Sequence, residues 1–340
     1  MEVASTARSG PGTAERGLEQ AVVITAWGRR EYLEGAIDSV GSSEAPPEEL
    51  AVIANFRDAR LERRVVERGG QWLDCAEDRF GRMVAEGVRA TSAPLVSFLD
   101  DDDVYLPGRL ARARREFARD PSLGFLHVGG APFLAGGAPP VAAPSPRIAP
   151  VSVGPGERRR SDFASIWSRD AAYNGSSVTL RREVIGPYLG DLGRIRLAVP
   201  PYLFYRAWVS PWGLRAVPDV LVGIGQHAGS STTGSLQPRS VRLPRLRRIS
   251  TALADDARAI HEFLPAGTWD FSLREMVAMA TIFASLDDAT ATRATLAGAL
   301  RDLARRRTVW VPRGALVMLA LARGISPTVA RGTYRWLTES

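Results

Sequence analysis

Lysine is missing altogether. All 44 basic side chains in the 340 residues are arginine, so neither a Schiff-base lysine nor a P-loop lysine can exist, and the enzyme classes that need one are excluded. Cysteine is nearly missing too. Cys75 stands alone, which forbids an intrachain disulfide and any cysteine-based zinc site, fits a reducing compartment and reads as a small buried filler rather than a nucleophile. No uninterrupted apolar run reaches the roughly 18 residues that a membrane-crossing helix needs. Residues 1–20 lack the apolar centre of a secretory signal and read as a disordered leader. The expected location is cytoplasmic, with the inner face of the membrane as a second option.

What is present is globular in character. Hydrophobic residues make up 45% and charged residues 24%, enough to bury a sizeable core in one large α/β domain with an appendage, or in two small domains. The net charge of +7 suits an anionic ligand, a nucleic acid or an anionic membrane surface. The exclusive use of arginine reads first as codon bias.

The first hundred residues alternate short apolar runs with helical periodicity. Strands are expected at Ala21–Thr25, Leu50–Ala54, Gln71–Cys75 and Pro94–Leu99, and helices at Arg30–Val40, Leu61–Arg68 and Phe80–Ala90. Such alternation specifies a parallel sheet with right-handed crossovers. Ligands of open α/β sheets sit at the carboxyl ends of the strands, where Thr25, Asn55 and Asp100 to Asp103 all fall. Residues 129–160, dense in Gly, Pro and Ala, read as a flexible loop ending in Arg158-Arg159-Arg160. Residues 161–235 mix aromatics with short strands. An Arg-rich link (Arg239 to Arg248) opens a helical extension over 236–340. His127 reads as a satisfied core histidine and His261 as structural. The aromatics Tyr202, Phe204, Tyr205, Trp208 and Trp212 are open between acceptor pocket and core. The apolar and arginine-bearing segment Thr308 to Leu321 is expected to pack on the main domain, with peripheral membrane contact as the other option.

Four consecutive carboxylates, Asp100-Asp101-Asp102-Asp103, repel one another, so something positive should sit among them. A hard divalent cation shared with phosphates would serve. A solvated turn capping the next helix, Leu106 to Phe117, is the plain structural alternative.

The stretch Phe98-Leu99-Asp100-Asp101-Asp102-Asp103-Val104-Tyr105-Leu106-Pro107 resembles the DXD segment of family 2 inverting glycosyltransferases. Three further segments resemble that family in the same order. They are Val22 to Leu33, Tyr173 to Val184, and Val217 to Leu221 with Gln226-His227. The likeness covers about residues 20–235. It implies a GT-A, Rossmann-like, mostly parallel sheet flanked by helices, with residues 21–128 as the nucleotide-binding half and 161–235 as the acceptor half. It implies a nucleoside diphosphate sugar as donor, with a UDP-sugar favoured, and Mn2+ or Mg2+ as cofactor. By the same resemblance Thr25 touches the nucleoside, Asn55 stands where the family accepts from the base, and Arg79 reaches the nucleotide. Asp100 and Asp101 lie near ribose and diphosphate, and Asp102 and His227 hold the metal. Arg158 to Arg160 would assist the diphosphate if their loop closes.

One position departs from the family. Its general base is an aspartate about six residues before a helical arginine, taken here as Arg206, and that position is Pro200. No acidic residue lies between Asp191 and Asp219, so Asp191 is the candidate base if its loop is rearranged, and Asp170 a weaker one. The rival readings are a sugar-phosphate nucleotidyltransferase, which usually carries a lysine-bearing loop, and a catalytically impaired nucleotide-sugar-binding protein. Charge alone suggests a nucleic-acid binder, and the acidic run at the ligand edge speaks against it. The acceptor and oligomeric state are not legible.

Overall fold

The computed structural model describes residues 18–77, 79–145, 148–156, 158–227, 239–265, 271–285 and 297–299. Its strands are β1 (Gln20–Ala26), β2 (Glu49–Ala54), β3 (Gln71–Asp74), β4 (Leu95–Asp100), β5 (Val104–Tyr105), β6 (Leu123–Leu134), β7 (Val151–Val153), β8 (Val178–Arg181) and β9 (Gly213–Gln226). Its helices are α1 (Leu33–Gly41), α2 (Ala59–Glu67), α3 (Phe80–Arg89), α4 (Arg109–Arg119), α5 (Arg160–Trp167), α6 (Arg182–Ile185), α7 (Leu189–Leu192), α8 (Val199–Val209), α9 (Arg239–Glu262) and α10 (Phe271–Ser285).

The strands form one sheet in the order β3-β2-β1-β4-β8-β6-β9-β5, with β7 also paired to β9. The first four are mutually parallel; β1, β2 and β4 are mostly apolar because helices cover both of their faces, while β3 at the edge is half polar and unburied. β8 then runs antiparallel to β4 and β6, while β6 and β9 pair in parallel. From β1 the chain steps outward to β2 and β3, then returns to the other side of β1 as β4. That reversal opens a crevice at the carboxyl ends of β1 and β4.

α3 closes against the parallel half through Gly87, where a Cβ would run into Val23 and Ile53. In the second half Phe163 of α5 packs on Phe204 and Trp208 of α8 at centroid distances of 5.7 and 5.1 Å. Tyr202, Phe204, Tyr205 and Trp208 are buried, so the aromatics left open between pocket and core belong to the core, each with about 1.5–3 kcal/mol of burial behind it. Trp212 is partly buried against it.

Residues 129–160 carry more structure than their composition suggests. β6 continues to Leu134, Ala143 bridges to Val220, and β7 adds to β9. Arg158 is tied down by donating to the carbonyls of Ser210 and Trp212. It also lies over the Trp208 ring, so Arg158 is committed to the fold rather than to a phosphate. Gly and Pro marked turns between these short ladders, not a single loop. Many arginines serve the same structural end: Arg182 donates to the carbonyls of Ala93 and Val88.

α9 and α10 supply helix where an extension is expected. Asp256 of α9 accepts from the backbone N–H groups of Arg196, Leu197 and Ala198 at 2.9, 2.7 and 2.8 Å, pinning it to the start of α8. No helix among the described residues is long and apolar enough to cross a membrane. Residues 1–17 and the segment Thr308 to Leu321 lie outside the described residues.

Candidate active site

The crevice is floored by the β4–β5 turn that carries the four aspartates. Thr25, buried at the end of β1, pairs in register with Asp100, and its carbonyl accepts from the Asp101 N–H at 3.1 Å. The four carboxylates then part company.

Asp100 makes no side-chain hydrogen bond among the described residues. Burial, followed by repulsion from Asp103, Asp102 and Asp101, pushes its carboxyl well above the usual range. Asp101 is fully enclosed. It accepts from the Trp27 N–H at 3.0 Å and from Nε and Nη2 of Arg29. Burial raises it to about 7, against the pull of Arg29. Asp102 keeps some exposure, and its Oδ2 lies 2.9 Å from His227 Nε2 and 3.3 Å from Arg29 Nη1. Asp103 is buried and accepts from Ser176 Oγ at 2.6 Å, Asn174 Nδ2 at 3.3 Å and the Gly225 N–H at 2.8 Å. Its carboxyl also rises to about 7, mainly through burial.

Two devices hold this arrangement. β9 passes so close beneath the acidic turn that a Cβ on Gly225 would overlap the Asp102 carbonyl; only glycine fits there. The loop before β8 holds Asp170 and Asn174 at φ of 55° and 44°, sparsely populated for residues with side chains and concentrated at functional sites. Asn174 turns its carbonyl back to the Ser176 N–H at 2.7 Å, which aims both Asn174 and Ser176 at Asp103.

The expected residues are only partly assembled. His227, at the end of β9, reaches Asp102 as anticipated, and its ring lies against Tyr32 at 4.9 Å. Asn55 spends its side-chain carbonyl on the Gly28 N–H at 2.7 Å; a flip would set N–H against N–H, so Nδ2 is the group it offers a ligand. Asp101 points into the protein instead of toward ribose or diphosphate. Arg79 caps α3 with its backbone, and its side chain is exposed. Asp191 pairs with Arg206 at 2.5 Å and is half exposed. It lines a cleft with Arg194, Tyr202, Glu262 and Phe263, against α9 rather than over the acidic turn. Pro200 is nearer the turn, with its Cγ 3.8 Å from where a Cβ of Gly175 would stand, beside Ser176. The start of α8 thus reaches the site with a ring where a carboxylate is expected. His127 is buried, contacts the Tyr173 carbonyl at 3.3 Å and is pushed down to about 4 by burial, as befits a neutral core histidine.

Arg29 escaped the sequence reading as a named residue. The signal was there: four carboxylates require a positive partner, and Gly28-Arg29-Arg30 follows β1 directly, with Gly28 at φ 69° turning the chain back. Among the described residues no group of three or more His, Cys, Asp or Glu side chains converges as a full metal shell. Asp102 and His227 make a third of an octahedral one, 2.9 Å apart, at the spacing of adjacent ligands on a small hard cation, whose remaining positions phosphates and water commonly fill.

No family model and no curated protein matches the sequence. Among solved structures the chain is similar to S. aureus TarS, with TM-score 0.51 and 13% identity over 92% of this chain and 55% of that one. It spans about half of that longer chain. It is also similar to TarS 1-349 in complex with UDP-GlcNAc, with TM-score 0.53 and 13% identity over 94% and 92% of the two chains. A third likeness is to the mannosyltransferase PcManGT from Pyrobaculum calidifontis in complex with GDP-Man and Mn2+, with TM-score 0.52 and 14% identity over 94% and 84%. The fold is of the GT-A type. In this GT-A frame the acidic turn lies at the crevice between β1 and β4, where the reversal of strand order predicts a ligand.

Proposed function

We propose that the protein transfers a glycosyl group from a nucleoside diphosphate sugar to an acceptor hydroxyl or amine, with inversion. One observation carries the reading. At the crevice of a GT-A sheet, Asp102 and His227 converge beside a turn of four carboxylates. Support comes from the fold neighbours, one crystallised with UDP-GlcNAc and another with GDP-Man and Mn2+, and from the sequence resemblance to family 2 glycosyltransferases.

Each residue has a task in this reading. Thr25 and Asn55 border the nucleoside, with Asn55 donating through Nδ2. Asp100 faces the ribose. Asp103 sets the shape of the turn. Asp102 and His227 would hold Mn2+ or Mg2+, which when bound supplies positive charge opposite the diphosphate. Asp191 is the proposed base on the acceptor, a role that requires its loop to rearrange from the cleft beside α9 to the crevice; its Oδ2 faces Arg206, which leaves Oδ1 for a proton. A single displacement with such a base inverts the anomeric carbon. Pro200 favours a second reading, a donor-binding protein impaired in transfer.

Calorimetry with UDP-, GDP- and dTDP-sugars in the presence of Mn2+ tests the proposal. One donor is expected to bind in the micromolar range, and Asp102→Ala to abolish the metal-dependent part. Absence of binding for every donor removes the reading. Donor hydrolysis or transfer removes the impaired alternative.

A further inference from the structure

The geometry points to Arg29 and a divalent cation as mutually exclusive partners of the Asp102–His227 pair, so that metal enters with the donor's diphosphate, which takes over the displaced guanidinium. This rests on the donor site proposed above.

Nη1 of Arg29 faces His227 Nε2 at 2.9 Å and Asp102 Oδ2 at 3.3 Å, while those two atoms are 2.9 Å apart. In the tautomer in which Nε2 accepts, two lone pairs converge on one cationic group. That is how adjacent ligands meet a metal ion, and here the ion's part is played by a side chain. Arg29 is also the most exposed of the three. Its side chain is 28% exposed, against 11% for Asp102 and 8% for His227. An ion arriving from solvent therefore meets a positive charge before it meets its ligands.

The guanidinium is attached at two points. Nε and Nη2 grip Asp101, which has no access to water, and Nη1 alone serves the pair. Wholesale departure would strand a buried carboxylate, so Arg29 swings about Asp101 and surrenders only its Nη1 contacts. Once swung, it presents N–H groups to the solvent side, where a diphosphate offers oxygens suited to bidentate pairing. Metal and nucleotide must then strengthen each other's binding by the same factor.

The experiment titrates Mn2+ by its paramagnetic resonance signal, with and without saturating UDP, and UDP by calorimetry with and without Mn2+. The proteins are the wild type, Arg29→Met and the double variant Arg29→Met with Asp101→Asn, which removes the stranded charge should the single variant unfold. Wild type is expected to bind Mn2+ at least tenfold more tightly when UDP is present. In the folded Arg29 variant, Mn2+ binds at least tenfold more tightly than in the wild type without UDP, and the enhancement by UDP shrinks to threefold or less. Equal Mn2+ affinity in wild type and variant without nucleotide overturns the exclusion. A variant that gains Mn2+ affinity while no protein binds any nucleotide leaves the exclusion standing and sinks the donor-site reading instead.

Discussion

The molecule contains two arginine–aspartate pairs of opposite build. In the parallel half, Asp101 is sealed inside and Arg29 keeps an exposed face. In the second half the roles reverse. Arg206 is buried, with its guanidinium carbon 3.9 Å from the Tyr188 ring centroid and 3.6 Å from that of Phe263, while Asp191 is half exposed. The first pair shows a cation to the crevice and the second shows an anion to the cleft beside α9. Burial decides which partner is scaffold and which is available for chemistry.

The contrast breaks first at Arg29. Arg29→Met leaves Asp101 without its cation in the interior, where it folds only by taking up a proton, and we expect a loss of about 3 kcal/mol in urea unfolding at about pH 8, most of it recovered by adding Asp101→Asn. No loss would mean that Asp101 already folds neutral. Arg206→Met removes the buried partner of the other pair but strands only an exposed carboxylate. The expected loss is about 1–2 kcal/mol, from the charged hydrogen bonds to Asp191 and the Tyr202 hydroxyl and the ring contacts. A loss equal to that at Arg29 would erase the distinction.

The acid dependence of stability sharpens the comparison. Asp101 and Asp103 titrate near 7 when folded, against a reference of 3.8, and Asp100 lies well above that reference. These groups hold more protons folded than unfolded, so stability falls as pH rises through that window. His127, moved from 6.5 to about 4, acts in the opposite sense between those values and cancels one carboxyl. Between pH 5 and 7 the expected net decline is about 2–3 kcal/mol per pH unit, for the two uncancelled protons, read from urea midpoints. A rise over that interval would show the acidic turn to be ionised throughout. The smallest stability effect belongs to Asp191→Asn, under about 1 kcal/mol. UDP affinity should not change, while transfer falls by roughly a hundredfold if Asp191 is the base. Unchanged transfer removes it from the chemistry.

How much of this was legible beforehand follows the same division. The parallel half could be read from residue order, because a strand buried on both faces is an unbroken apolar run and its end is marked by polar residues. β1, β2 and β4 fall within a residue or so of their expected spans. The acidic run also announced that a cation was needed. Which cation could not be read, since that depends on Gly28 turning Arg29 back over β4. Nor could the different fates of four identical aspartates, which are set by neighbours distant in sequence: Trp27 and Arg29 for Asp101, His227 for Asp102, Asn174, Ser176 and Gly225 for Asp103. In 129–160 the short ladders to β9 were hidden because glycine and proline look alike whether they end a strand or fill a loop.

Asp103 has one further consequence. A single carboxylate fastens the end of β4 to the loop before β8 and to the end of β9. Those three segments belong to the parallel half, the second half and the histidine-bearing edge. They cannot drift apart while that keystone is seated, so any opening of the crevice must come from its rim, in the tip of the β1–α1 turn and the start of α8, and not from its floor.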